Sequence, residues 1–206
     1  MTDEKRNLLQ ELEHSEKILI GIGEEWKKDR VPEIVQIYEK LSQMIKGKDY
    51  FIVTTVTDGE IYRSSLDALK IVAPCGNETW RQCSQSCTKD IWEPGEIPDD
   101  ICPHCGAPLT GNTIAAKDYI EEGYLPQWQA YTRWLGGTLN HKLLILELGV
   151  GFGTPTVIRW PFEKTVSLNK KAKMYRIHEK FYQLSQEIGD KAVSIPTDSV
   201  EYVKNL

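Results

Sequence analysis

Apolar residues along the chain follow two alternating patterns: short unbroken runs, and longer stripes at helical spacing. Lys17-Ile-Leu-Ile-Gly21-Ile-Gly23 is a short apolar run ending in glycines. A run of that length without a polar side predicts a strand buried on both faces that feeds a tight turn. Tyr50-Phe-Ile-Val-Thr-Thr-Val56 is β-branched and aromatic throughout and predicts a second buried strand, with Asp58-Gly59 turning the chain. Leu143–Leu148 predicts another, again running into a glycine turn, Gly149-Val150-Gly151. Between these runs the period changes. Ile34, Ile37, Tyr38, Leu41 and Ile45 predict a helix over 32–46, which Gly47 ends. Trp128, Tyr131, Trp134 and Leu135 predict one over 126–135, which Gly136-Gly137 stops. A first helix is expected over 3–15, with Leu8, Leu9 and Leu12 on one side and Asp3 and Glu4 suited to its first turn.

Weaker signals predict a helical turn at Ser64–Leu69 and a brief strand at Ile71-Val72. Further strands are expected at Thr165–Leu168, Met174–Ile177 and Ala192–Ile195, a helix over 178–188, and a terminal helix from about Asp198. Strands alternating with helices imply an α/β chain: a Rossmann-like parallel sheet with helices on both faces. Ligands of such sheets bind at the carboxyl ends of the strands, where the strand order reverses. The glycine turns at 21–23 and 149–151 are expected on that edge.

One stretch departs from the alternation. Cys83 and Cys87, then Cys102 and Cys105 after fourteen intervening residues, form two close pairs joined by a loop. Each pair delivers two thiolates from one turn, which is what a tetrahedral, structural zinc site requires. Pro103 and Gly106 suit the second turn, Trp80 and Trp92 are placed to cap a small module, and His104 is expected to face solvent as a turn residue. Residues 77–113 are therefore expected as a zinc-ribbon insertion in a nucleotide-binding body formed by 1–76 and 114–206. The charged start of the chain is not a secretion signal, so disulfides are not expected and the cytoplasm is the expected compartment. A net charge of -5 over 206 residues, without a basic cluster, argues against a general nucleic-acid binder. No apolar run approaches the length of a membrane span.

The order of these motifs resembles the sirtuins: a glycine turn after the first strand, a strand ending Thr54-Thr55-x-x-Asp58, two cysteine pairs, then a strand ending in a second glycine turn. The stretch Leu146-Glu-Leu-Gly-Val-Gly-Phe-Gly-Thr-Pro-Thr-Val-Ile-Arg159 and the Cys-x-x-x-Cys spacing resemble the bacterial branch often encoded beside macrodomain proteins. The resemblance covers roughly 17–180. It implies a Rossmann fold with a zinc ribbon, NAD or ADP-ribose along the strand ends, and ADP-ribose transfer to an acyl oxygen or to a protein acceptor. On this resemblance Gly21 and Gly23 let the backbone approach the pyrophosphate, and Thr55 and Asp58 belong to the cofactor site, Asp58 near the nicotinamide amide. Gly149 and Gly151 border the adenosine side and Asn169 lies near a ribose. Arg176 is a looser candidate, set against a plain surface arginine.

Departures from the family bear on activity. Where sirtuins place a His before a Gly as general base, this chain has Cys75-Gly76; a thiol with a pKa near ~8.5 is a poor proton acceptor for a ribose hydroxyl. Val56 replaces an expected Asn, and Glu24-Glu25-Trp26 replaces small residues after the first glycine turn. Two carboxylates facing a pyrophosphate oppose its binding; pointing outward, they do not. Thirty residues separate Gly23 from Thr54, too few for the family's cofactor loop and helical insert. Three readings stay open: an NAD/ADP-ribose-binding relative impaired in deacylation that acts by binding, as a partner subunit; an active NAD-dependent ADP-ribosyltransferase or deacylase, with Cys75 as acceptor or redox-sensitive thiol; and a zinc-stabilised interaction module without nucleotide.

Overall fold

In a computed structural model, which describes residues 3–206, six strands form one parallel sheet. They are β1 (Lys17–Ile22), β2 (Asp49–Thr54), β3 (Ile71–Val72), β6 (Leu143–Leu148), β7 (Lys173–Ile177) and β8 (Ala192–Ile195), ordered β3-β2-β1-β6-β7-β8. The order runs one way from β1 to β3 and the other from β6 to β8, so the reversal falls between β1 and β6. Those two strands pair in parallel from Lys17↔Leu143 to Ile22↔Leu148. Both are almost wholly buried, as their unbroken apolar runs require.

Helices cover both faces. On one side α1 (Asp3–His14), α2 (Ile34–Met44) and α5 (Ser199–Lys204) pack on Ile18, Ile20, Ile22, Leu144, Leu146 and Leu148. On the other, α3 (Leu125–Gly136) and α4 (Arg159–Leu168) bring Tyr131, Phe162 and Val166 against Leu19, Ile145 and Met174. Side chains alternate between faces because successive residues of a strand point opposite ways. The side chain of Asp198 caps α5 by accepting from Val200 N and Glu201 N. Among the described residues no helix is long and apolar enough to cross a membrane.

Two elements differ from the sequence expectation. Thr165–Leu168 is not a strand but the last turn of α4. Phe162 and Val166 stand one helical turn apart and face the sheet with Ile158, so a β-branched pair read alone gives the wrong period. The stretch 178–188 is not a helix; it holds one short 3₁₀ turn at Gln186–Ile188. Its polar backbone groups are engaged elsewhere. The carbonyls of Phe181 and Gln183 accept from Arg159, and the N–H groups of Lys180 and Phe181 donate to His178 Nδ1. A helical ladder would need those groups.

Between Val72 and α3 the chain leaves the main sheet. β4 (Gly76–Cys83) and β5 (Leu109–Thr113) form a separate antiparallel pair with an irregular register between Asn77 and Arg81. Cys83, Trp92 and Cys102 form a small core there, with Ile97, Ala107 and Leu109 packed on it. Trp92 serves that module as expected, whereas Trp80 packs against Tyr62, 5.7 Å between ring centres.

Candidate nucleotide cleft and metal centre

The two glycine turns meet at the carboxyl edge of the sheet. Gly23 N donates to Leu148 O at 2.9 Å and Glu25 N to Gly149 O at 3.4 Å. A Cβ on Gly23 would run into Gly149 O and Val150 Cα, so the turns touch backbone to backbone. At Gly21 a Cβ would come within 2.5 Å of Ile158 and 2.8 Å of Phe162, so this glycine lets α4 lie on the strand. The close approach each glycine permits is thus to the protein's own chain. Gly149 adopts φ +64°, where a side chain is strained.

Beside the turns lies a cleft of about 400 Å³ whose walls include Glu24, Thr55, Cys75, Val150, Gly151 and Thr154. The Cys75 thiol is buried, which pushes its pKa up, and a hydrogen bond with Thr154 pulls the other way without reversing the shift. At neutral pH the group is therefore a neutral thiol, short of the basicity a general base needs. An adjoining hollow of about 260 Å³ shares Lys27, Thr57 and Glu78 with the cleft and contains Asp58. The Asp58 carboxylate accepts from Glu60 N at 3.0 Å, closing its own turn, and from Lys28 N at 2.8 Å, tying that turn to the segment after Trp26.

The metal centre is built at the turns of the β4–β5 module. The four Sγ atoms of Cys83, Cys87, Cys102 and Cys105 lie within 4.8 Å of one another. Cys83–Cys105 and Cys87–Cys102 are each 3.5 Å apart. Zinc–sulfur bonds of about 2.3 Å in a tetrahedron place the sulfurs about 3.8 Å apart, so the cluster fits zinc with no open position. His104 is not a fifth ligand: its Nε2 lies 2.8 Å from Asp90 Oδ2 and its ring stacks on Trp92.

No family model matches the sequence. A protein ADP-ribosyltransferase of Staphylococcus aureus is 26% identical over 181 residues, which cover 79% of this chain and 58% of that protein. A probable bifunctional ADP-ribose hydrolase/ADP-ribosyltransferase of Fusarium oxysporum f. sp. cubense is 29% identical over 147 residues, 58% of this chain and 24% of that one. The chain thus spans less than two thirds of the length of either curated relative. Among solved structures, Sir2Tm bound to a propionylated peptide superposes with a TM-score of 0.67 at 15% identity, covering 98% of this chain and 96% of that one. The fold is that of the sirtuins. A Sir2 homologue mutant in complex with ADP-ribose gives a TM-score of 0.63 at 14% identity, over 100% and 94% of the two chains.

Within this sirtuin fold the residues singled out in the sequence separate into groups. Thr55, Cys75 and Gly151 share the cleft, with Asp58 in the adjoining hollow. Asn169 does not join them: its Nδ2 donates to Thr138 O and His141 O, just before β6 begins, so it lies at the amino edge, not at the carboxyl ends where a ribose was expected. Arg176 is not a surface arginine; it is buried and binds Glu147 through Nε at 2.6 Å and Nη2 at 2.9 Å. Val56 is packed in the core beneath the sheet and lines neither hollow. From Gly23 to β2 the chain forms only the short turn Glu24–Trp26 and α2.

Both glutamates after the first glycine turn face inward. Glu24 Oε2 accepts from Gly151 N at 3.0 Å on the cleft wall. Glu25 is fully buried; its carboxylate accepts from Glu179 N at 2.9 Å and Ser199 N at 2.8 Å. Its Oε1 lies 3.1 Å from His178 Nδ1, and burial pushes the pKa of His178 down.

A buried ion network that sequence reasoning missed supports the rim. Arg159 Nη1 donates to Glu147 at 3.3 Å and to Val150 O at 2.7 Å, while Nη2 donates to Phe181 O at 2.7 Å. Its guanidinium also sits 4.2 Å over the Phe152 ring, so one side chain fixes both loops of the edge. The signal was present in Leu143–Leu148, where Glu147 is a lone carboxylate in an apolar strand buried on both faces. Such a charge needs cationic partners.

Proposed function

We propose that this chain is a sirtuin-like protein that binds NAD or ADP-ribose at the carboxyl edge of its sheet, holds a structural zinc ion in its four-cysteine cluster, and is impaired in deacylation. The observation that carries this reading is Cys75 on the wall of the same cleft as Thr55 and Gly151, at the position where the resemblance puts a general-base histidine. A neutral thiol leaves the acyl-transfer step without its proton acceptor, a loss of about 10²–10⁴ in rate. Val56 faces the core and offers no polar group in place of the asparagine. Glu24, Thr55, Gly151 and Thr154 form the walls a nucleotide would meet, and Arg159 holds the rim loops in register. Zinc bound by Cys83, Cys87, Cys102 and Cys105 would tie the turns of the 77–113 ribbon, whose chemistry is structural. Thiolates kept for zinc suit a reducing compartment, here taken as the cytoplasm. The ligand-bearing edge would serve an acceptor or partner protein.

A second reading is favoured by the S. aureus relative named a protein ADP-ribosyltransferase. Transfer of ADP-ribose to a protein side chain breaks the nicotinamide–ribose bond without an acyl step, so the missing histidine costs it less. Thermal unfolding with NAD, ADP-ribose and AMP tests both. At about 100 times Kd a ligand adds about 2.7 kcal/mol, roughly a 5–10 °C rise for a chain of this size. Binding without nicotinamide release supports the first reading, and release with labelled acceptor protein the second. Absence of any shift with all three ligands overturns both.

A further inference from the structure

We propose that Glu24 sets the ligand selectivity of the cleft: its carboxylate sits on the Gly151 amide where a ligand phosphate would dock, so a phosphate-bearing ligand enters only by displacing it. The inference rests on reading the cleft as a nucleotide site and adds what that site discriminates against.

Four observations converge. Glu24 Oε2 accepts the Gly151 N–H at 3.0 Å, and both residues line the cleft. Gly151 is not among the glycines with positive φ, so backbone conformation does not demand a glycine there. What the missing Cβ provides is room, because a Cβ at 151 would collide with the Glu24 carboxylate. The seat is therefore shaped to take an anionic oxygen against that amide. Glu24 also differs from its neighbour. Glu25 is fully buried and anchored by two backbone amides, whereas Glu24 is half-buried and held by one, so it can swing out without unpacking the core.

Charge completes the argument. The cleft is lined by two carboxylates, Glu24 and Glu78, and one ammonium, Lys27. Removing Glu24 frees a backbone donor and takes the formal balance of the lining from one net negative charge to zero. Phosphate groups gain from both changes, while an uncharged nucleoside gains from neither.

Isothermal titration of wild type, Glu24→Ala and Glu24→Gln with ADP-ribose, AMP, adenosine and inorganic pyrophosphate tests this. Glu24→Ala should bind ADP-ribose and pyrophosphate about ten- to a hundredfold more tightly than wild type, with adenosine unchanged. Glu24→Gln, which keeps an acceptor on the Gly151 amide but loses the charge, should fall between; it also serves if the alanine variant folds poorly. Equal affinity of all three proteins for ADP-ribose overturns the inference and leaves the nucleotide reading standing. Equal tightening of adenosine and ADP-ribose overturns it too, because the effect is then steric. If none of the proteins binds any of the four ligands, the nucleotide reading fails and takes the inference with it.

Discussion

Glu147→Gln is the most demanding test of how the carboxyl edge of the sheet is held. Glu147 is fully buried and accepts three charge-assisted bonds, at 2.6 and 2.9 Å from Arg176 and 3.3 Å from Arg159. Burial pushes its carboxyl pKa up, and Arg176 and Arg159 pull against that. Glutamine keeps the volume, so no cavity opens, but it removes the charge and turns an NH₂ towards two guanidinium groups. Removing one partner of a buried ion pair costs about 3–5 kcal/mol. The lower end applies here, because Arg176 keeps Glu163 at 2.7 Å and Arg159 keeps the Val150 and Phe181 carbonyls.

A loss of about 3 kcal/mol lowers the melting temperature of a chain of this size by roughly 6–12 °C. Urea unfolding followed by tryptophan fluorescence measures it, since Trp26 is fully buried. Hydrogen exchange adds a local readout: amides of 150–153 and 181–183 should exchange faster, while those of β1 change only with global stability. A Glu147→Gln variant within about 1 kcal/mol of wild type would refute the claim that this network holds the edge together.

Three other outcomes follow from the same geometry. If the four-cysteine cluster holds zinc, Cys105→Ser should abolish zinc binding and unfold the β4–β5 module while the main sheet keeps its circular dichroism; a variant that binds stoichiometric zinc would count against four-thiolate ligation. Gly23→Ala should destabilise the fold by about 1–3 kcal/mol, because its Cβ meets backbone atoms of Gly149 and Val150 that cannot move singly. His178 has a folded pKa below its ordinary value because of burial, with Glu25 and Glu24 opposing the shift and Arg159 and Arg30 adding to it. The unfolded chain therefore binds the extra proton first, so stability is complete above about pH 6.5 and falls as the pH drops below it. Urea midpoints between pH 7.5 and 5 should show that slope, and His178→Gln should flatten it; an unchanged slope in the variant would place the titration elsewhere.

The parallel sheet was legible because each central strand is an unbroken apolar run, and the four-thiol cluster because two close cysteine pairs announce themselves by spacing. Legibility failed where a distant side chain decides the outcome. No local pattern shows that Arg159 takes the carbonyls of Phe181 and Gln183, and without that the apolar spacing over 178–188 reads as helix. A ribose contact for Asn169 would require 165–168 to be a strand running to the carboxyl edge. Once those residues form the end of α4, the chain at 169 has already returned to the amino edge. Glu24 and Glu25 posed a question that sequence could frame but not answer, because their direction depends on amides at 151, 179 and 199.

That direction bears on what such an edge can do. A parallel sheet binds anions at its carboxyl edge when turn amides there lack partners. Here Gly23 N and Gly149 N donate to Leu148 O and Ile177 O, and Glu25 takes the amides of Glu179 and Ser199. Those bonds are part of the fold: they continue the pairing of β1 with β6 and of β6 with β7, and they tie α5 to the turn after β1. The Glu24–Gly151 bond is of another kind, made by a half-buried side chain on the wall of an open cleft. Binding of a phosphate at that amide is thus an exchange of one anion for another, and its affinity is the difference between them. A single carboxylate can then set whether the edge behaves as a nucleotide site or as a closed surface, with no change elsewhere in the fold.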